Sequence, residues 1–219
     1  MEDKSLQLLK NFIGDFSEVH MGSMGSFNIE PPFETKARDY LKFAEYDLSN
    51  EYNHHNINAL SNVKRAIDCQ IDTLLFSFGL LEISKEERWT FPRKIDFLND
   101  AGIISPRILK KINRKRNVLE HEYRNPLTAE VEDAVDVAIL FMEYTEKFLV
   151  NALYDCEVVK DNDTEGYFGI KMDYELHQIS LYYYMDENTI PREATKIIKP
   201  GSAEYNEYLK FFISLYRLT

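Results

Sequence analysis

Apolar residues recur every three to four positions over most of the stretch from residue 34 to residue 153, and this spacing constrains the fold most strongly. It is typical of amphipathic helices, whose apolar stripe has to be buried against a neighbouring element. The clearest example lies between residues 57 and 78, with apolar positions at Ile57, Leu60, Val63, Ile67, Ile71, Leu74, Leu75 and Phe78. The region is therefore expected to form a set of packed helices.

Capping signals and turn residues divide this region into five predicted helices. They cover residues 34–50, residues 55 to about Gly79, residues 93–100, the stretch from Ser105 to just before Pro126, and residues 128 to about 153. Ser105 followed by proline is a favourable helix start, and the sequence from Thr128 resembles a capping box. Five helices with short connections predict an antiparallel bundle.

The two ends of the chain show different patterns. Residues 3–19 predict a short amphipathic helix, and residues 20–33, rich in Gly, Ser and Pro, predict a loop or linker. Beyond residue 153, three segments favour β-strands (154–160, 166–174 and 177–185), and residues 202–218 return to helical spacing. We therefore predict a mainly α fold with a helix and linker at 1–33, a helical bundle at 34–153 and a small α+β extension at 154–219.

The overall charge and hydropathy exclude several classes of protein. With 37 acidic and 26 basic residues among 219, the net charge is −11, the wrong sign for a protein that coats nucleic acid by bulk charge. No stretch approaches the roughly 18 consecutive apolar residues of a membrane span, and the first residues do not resemble a signal peptide. A cytoplasmic location, with Cys69 and Cys156 reduced, is expected.

Sequence motifs for common cofactors do not occur in the chain. None of the eight glycines lies in a GxxxxGK or GxGxxG pattern, and the five histidines form neither HExxH nor another common zinc spacing. We therefore expect no metal ion and no cofactor.

One segment stands apart from the acidic character of the chain. Six of the ten residues from Arg107 to Arg116 are basic, and Asn117, His121, Tyr123 and Arg124 follow closely. Such a run concentrates the positive potential that a phosphodiester requires. The segment is therefore the candidate for a site that binds RNA.

Helical geometry places the polar residues of this segment away from its expected core stripe. At about 100° per residue, Asn117, His121 and Arg124 fall opposite the stripe of Ile108, Ile112 and Leu119. Arg116 lies about 140° from His121, and Tyr123 shares the side of Arg116. Convergence of Arg116 and His121 on one phosphate requires a local distortion before Pro126 or a second copy of the helix. The exposed polar face favours the second option, a symmetric dimer with one shared cleft.

The residues from Arg116 to Tyr123 resemble a known motif. Arg116-Asn117-x-x-x-His121 looks like the R(N/D/H)xxxH signature of the HEPN superfamily (higher eukaryotes and prokaryotes nucleotide-binding domains), and Tyr123 extends it to RxxxxHxY. The longer form is seen in HEPN toxins that are paired with minimal nucleotidyltransferase antitoxins. The resemblance covers roughly residues 34 to 153, and it implies an antiparallel HEPN-like helical bundle.

The resemblance also implies a function, that of a metal-independent endoribonuclease acting as a toxin or defence effector, typically as a homodimer. His121 would be the general acid or base, Arg116 would stabilise the phosphate charge, and Asn117 would orient one of the two. Tyr123 would line the cleft, and it would be the residue to which an antitoxin attaches adenylate. The neighbouring cations Arg114, Lys115 and Arg124 are further candidates for binding the substrate. RNA cleavage would leave a 2′,3′-cyclic phosphate and a 5′-hydroxyl.

Other interpretations of these residues stay open. The run from Arg107 to Arg116 also fits a charged helix surface paired with Glu120 and Glu122, and Tyr123 also fits ordinary packing. A second hypothesis for the function is an inactive HEPN module that binds a nucleotide or a partner protein. The complete motif favours the ribonuclease, whereas the charge of −11 favours the inactive module. An enzyme built on the C-terminal extension lacks support, because His177 has no obvious partner in the sequence.

Overall fold

The computed structural model describes residues 4–50, 52–104, 125–160, 167–184 and 196–219, and these residues form an α+β fold. The helices are α1 (Lys4–Ile13), α2 (Ala37–Ser49), α3 (His55–Ser77), α4 (Leu81–Glu86), α5 (Phe91–Asp100), α6 (Thr128–Glu146) and α7 (Tyr205–Ser214). The strands are β1 (Val19–Phe27), β2 (Ala152–Lys160), β3 (Tyr167–Asp173), β4 (Gln178–Tyr184) and β5 (Lys196–Ile198). No helix within the described ranges is both long and apolar enough to cross a bilayer.

The strands form one antiparallel sheet in the order β1-β2-β3-β4-β5. Strand β1 comes from the N-terminal part of the chain and pairs with β2 from Val19 opposite Lys160 to Phe27 opposite Ala152. The sheet therefore combines segments from both ends of the sequence.

The predicted fold class, a mainly α HEPN-like bundle with a small appended α+β unit, is wrong. The five-stranded sheet is a layer of the fold in its own right, and β1 occupies residues that the Gly-, Ser- and Pro-rich composition had assigned to a linker. The physical reason lies in Gly22 and Gly25. A Cβ atom would lie 2.6 Å from Val159 Cγ2 at Gly22 and 2.2 Å from Tyr154 Cε1 at Gly25. These glycines allow the side chains of β2 to pack closely against the β1 backbone.

Most of the individual helices and strands occur where the sequence predicted them. The predictions for α1, α2, α3, α5, α6, α7 and strands β2 to β4 are confirmed in kind and position. Two helices end earlier than predicted: α1 ends at Ile13 because β1 begins at Val19, and α6 ends at Glu146 because β2 begins at Ala152. Helix α4 and strands β1 and β5 were not predicted. The helix predicted between Ser105 and Pro126 lies outside the described residues, and the proposed domain boundaries stay predictions.

The helices and the sheet share one hydrophobic core. We call α2, α3 and α6, which pack on one another, the helical region, and the five strands with α1 and α7 the sheet region. Phe168 of β3 contacts Phe12 of α1 and Phe211 of α7, with ring centroids 5.3 and 6.1 Å apart. Tyr205 Oη of α7 donates to the Phe78 carbonyl at the end of α3 (2.8 Å), which joins the two regions.

Candidate active site

The residues of the predicted active site lie outside the described residues. This holds for the catalytic candidates Arg116, Asn117 and His121, and equally for the substrate-binding candidates, which are Arg114, Lys115, Tyr123 and Arg124. Their roles stay predictions, but the structure describes the chain on both sides of them.

The chain is anchored in the core on both sides of the segment. Ile103 and Ile104, which follow α5, are buried, and Pro126, which precedes α6, is buried as well. Glu130 Oε2 accepts a hydrogen bond from the Leu127 backbone N–H (2.9 Å), which caps the start of α6. The two ends of the segment that carries the motif therefore join elements with defined positions.

Asn56, in the first turn of α3, holds the chain that follows the motif. Its Nδ2 donates to the Pro126 carbonyl oxygen at 3.3 Å and to Thr128 Oγ1 at 3.2 Å. Tyr123 precedes Pro126 by three residues in the sequence. The described chain that follows the motif in the sequence thus packs, at Pro126, beside the first turn of α3, which sequence analysis had not connected with it.

The first turn of α3 carries polar atoms without partners. Within the described structure, His55 Nδ1 and Asn56 Oδ1 are buried side-chain atoms that make no hydrogen bond. His54, the N-cap residue, has a φ of 69° and makes no side-chain capping bond. An imidazole nitrogen and an amide oxygen with free hydrogen-bonding capacity can hold a polar group that approaches this end of α3.

The polar residues around Tyr52 are bonded to one another. The Tyr52 hydroxyl donates to the Asp47 carboxylate, and this hydrogen bond raises the pKa of Tyr52. Asn62 Nδ2 donates to the same carboxylate (2.9 Å), and Asn58 Nδ2 donates to the Tyr52 hydroxyl (3.3 Å). This network stabilises the turn before α3, and it leaves Tyr52 protonated at neutral pH.

The remaining reactive side chains offer no second active site in the described part of the chain. Cys69 and Cys156 are free thiols, and burial raises the pKa of both, that of Cys156 to about 12. Neither is therefore an activated nucleophile. In the described ranges no three His, Cys, Asp or Glu side chains lie together in a way that holds a metal ion. Asp72 of α3 forms an ion pair with Lys94 of α5.

His177 lies in the turn between β3 and β4 and packs against the end of α3. Its ring lies 5.6 Å from that of Phe76, and a Cβ at Gly79 would lie 2.4 Å from its Cβ. Its Nδ1 is buried and makes no hydrogen bond within the described structure. In the described part of the chain, these contacts of the imidazole are thus with apolar groups, and they supply no catalytic partner.

The chain was compared with models of protein families, with curated proteins and with solved structures, and none of these matches it.

Proposed function

We propose that this chain is a metal-independent endoribonuclease that uses the RxxxxHxY motif from Arg116 to Tyr123. The observation that carries the proposal is the motif itself, whose Arg116 ends a ten-residue stretch with six basic residues in an acidic chain. The anchoring of both flanks, at Ile104 and through Asn56 at Pro126, supports it. A segment that has to hold a phosphodiester needs such fixed ends, because catalytic groups act only when they are positioned.

The proposed reaction is an intramolecular transesterification at a phosphodiester of the RNA. The ribose 2′-oxygen bonds to the adjacent phosphorus, the bond from phosphorus to the 5′-oxygen breaks, and one proton moves from the 2′-hydroxyl to the 5′-oxygen. His121 accepts or delivers that proton, for which an imidazole with an ordinary pKa near 6.5 is well suited. Arg116 stabilises the charge on the phosphate, and Asn117 orients one of the reacting groups. The products are a 2′,3′-cyclic phosphate and a 5′-hydroxyl.

The proposal extends to the assembly and to the setting of the enzyme. Two copies bring Arg116 of one subunit towards His121 of the other, because within one regular helix these residues diverge by about 140°. The activity is that of a toxin or defence effector acting in the cytoplasm. A minimal nucleotidyltransferase is a candidate antitoxin, and Tyr123 is the candidate site of modification.

The test is cleavage of total cellular RNA in the presence of EDTA. We expect the wild-type chain to produce 2′,3′-cyclic phosphate ends and His121→Ala to be slower by about 10²–10⁴-fold, the usual contribution of a general acid or base. His20→Ala is the matched control, since His20 is an exposed histidine on β1. Its cleavage rate should equal that of the wild type.

The same assay separates the ribonuclease from an inactive binding module. Mass spectrometry of the purified chain first establishes that Tyr123 is unmodified. If unmodified wild-type protein then cuts none of a range of RNAs, or if His121→Ala cuts as fast as wild type, the proposed reaction is rejected.

A further inference from the structure

A cavity of about 200 Å³ opens between the start of α2, the middle of α3 and the end of α6. Its apolar lining includes Ile29, Met142 and Leu149. Gln70 and Thr73 of α3 are its uncharged polar residues, and charged side chains from the start of α2, the end of α6 and the chain before α2 complete the lining. We call it the Gln70 cavity. Its volume is below the roughly 300–1,000 Å³ of pockets that hold drug-sized molecules, and therefore suits a single small ring system.

The amide of Gln70 is oriented by its neighbour on α6. Thr145 is fully buried, and its hydroxyl donates to the Phe141 carbonyl at 2.8 Å, so its oxygen is left as an acceptor. Gln70 Nε2 donates to this oxygen at 2.8 Å. The nitrogen of the amide therefore faces Thr145, and the carbonyl oxygen is turned away from it.

The Gln70 carbonyl oxygen has no hydrogen-bond partner in the described structure. Gln70 is only 7% exposed, and its side chain lines the cavity. Thr73, also buried and also lining the cavity, donates its hydroxyl to the Cys69 carbonyl (2.8 Å) and keeps only acceptor capacity. The polar part of the cavity thus calls for a hydrogen-bond donor.

The charged residues at the cavity are paired with one another. Lys36 Nζ lies 3.0 Å from Glu30 Oε2, and Arg38 lies 2.9 and 2.8 Å from the carboxylates of Glu143 and Glu146. With two cations and three carboxylates, the group has no positive charge to offer a phosphate or a carboxylate. The ligand is therefore uncharged where it enters the cavity.

We infer that the Gln70 cavity binds a nucleobase that carries an exocyclic amino group. Adenine, cytosine and guanine combine a small planar ring, whose faces suit the apolar walls, with N–H donors for the oxygens of Gln70 and Thr73. The base belongs either to a free nucleoside or to an RNA strand. This inference goes beyond the proposed function, because binding of a nucleoside requires neither His121 nor cleavage.

The test is a titration of the full-length chain with adenosine, cytidine, guanosine and uridine, and with a short single-stranded RNA in the His121→Ala background. We expect the three amino-bearing nucleosides to bind more tightly than uridine. Gln70→Met, which keeps the shape of the side chain and removes the amide, should weaken binding by about tenfold, since a hydrogen bond to a buried group is lost. Gln7→Met is the matched control, because Gln7 is an exposed amide that bonds to Asn11 on α1.

A second variant guards against a folding defect in Gln70→Met. Val150 lines the cavity and is 47% exposed, so Val150→Trp should close the mouth and abolish binding while leaving the amide in place. If only the RNA binds, with the same sensitivity to both variants, the base comes from a strand. If neither nucleosides nor RNA bind at about 1 mM, or if both variants bind as tightly as wild type, the inference is overturned.

Discussion

The helical and sheet regions differ in whether their buried polar side chains have all their hydrogen-bond partners. In the sheet region two buried tyrosine hydroxyls are bonded to the backbone: Tyr174 donates to the Leu153 carbonyl (2.7 Å), and Tyr205 donates to the Phe78 carbonyl (2.8 Å). In the helical region Gln70, His55 and Asn56 each keep an acceptor or ring nitrogen without a partner in the described structure. Since nearly all buried polar groups in folded proteins are paired, such unused capacity identifies candidates for contact with water, a ligand or another part of the chain.

One residue of the sheet region, at its boundary with the helical region, does not follow this difference. His177 belongs to the turn between β3 and β4, and its Nδ1 has no partner there. The residue packs on Phe76 and Gly79 at the end of α3, so it contacts the helical region as well. The Gln70 cavity and the unpaired atoms of the first turn of α3 both belong to the helical region.

The largest expected effect on stability belongs to the sheet region. Phe212 of α7 is fully buried, and Phe212→Ala should lower the free energy of unfolding by about 3–5 kcal/mol, because a cavity replaces the ring. Phe43, at 50% exposure on α2, is the matched control. Phe43→Ala should change the free energy of unfolding by about 0.5 kcal/mol or less. Chemical denaturation measures both. Similar losses in the two variants would contradict the assignment of the core.

Sequence analysis succeeded where local patterns decide the structure. The apolar spacing from Ile57 to Phe78 predicted α3, and Gly79, whose φ is 68°, follows its end as a residue that tolerates the left-handed conformation. It failed at β1, because Gly22 and Gly25 favour loops locally and are required here by side chains of β2. That requirement arises only after residues more than 100 positions apart are paired.

The candidate sites likewise combine features that are local in the sequence with contacts between distant residues. The basic run and the RxxxxHxY motif are local, so they could be read from the sequence. The contact of Asn56 with Pro126 joins residues 70 positions apart, and the bond of Gln70 to Thr145 joins residues 75 apart. In the sequence both amides are ordinary polar residues of a helix. Their unused oxygens became visible only when the neighbours on α6 and before it were known.

The next largest effect tests whether the sheet region depends on its paired hydroxyls. Tyr205→Phe removes the donor to the buried Phe78 carbonyl and should lower the free energy of unfolding by about 1–3 kcal/mol. By contrast, Gln70→Met removes the donor to Thr145 together with an oxygen that has no partner. Because removal of the unpaired buried oxygen offsets part of the lost bond, its cost should be smaller. Equal losses of stability in Tyr205→Phe and Gln70→Met would show that the two regions do not differ in how completely their buried polar groups are paired.

The next effect is confined to alkaline pH and is absent at neutral pH. Burial raises the pKa of Cys156 from an unfolded value near 9 to about 12, so the thiol stays protonated in the fold while the unfolded chain ionises. This contribution to stability is complete below pH 9 and is lost as the pH rises towards 12, by at most about 1.4 kcal/mol per pH unit. Cys156→Ala should therefore show a shallower decline than wild type in denaturation series between these pH values. Parallel curves for the two proteins would show that the Cys156 thiol does not contribute to this loss of stability.

The smallest effect on stability is expected at the first turn of α3. A substitution there should change the rate of RNA cleavage more than the free energy of unfolding. Asn56→Ala removes two hydrogen bonds of 3.2 and 3.3 Å, but it also removes a buried oxygen without a partner. These contributions oppose each other, so the free energy of unfolding should change by less than about 1 kcal/mol.

Cleavage of RNA should nevertheless fall by about tenfold in Asn56→Ala, because the chain that follows the motif loses its anchor and displaced catalytic groups act less efficiently. Asn58→Ala, two residues along α3, removes a bond to Tyr52 and should cut RNA at the wild-type rate. A loss of stability in Asn56→Ala that matches that of Tyr205→Phe, with unchanged cleavage, would make Asn56 a structural residue. The unpaired oxygen would then be a tolerated defect, and the contrast between the two regions would rest on Gln70.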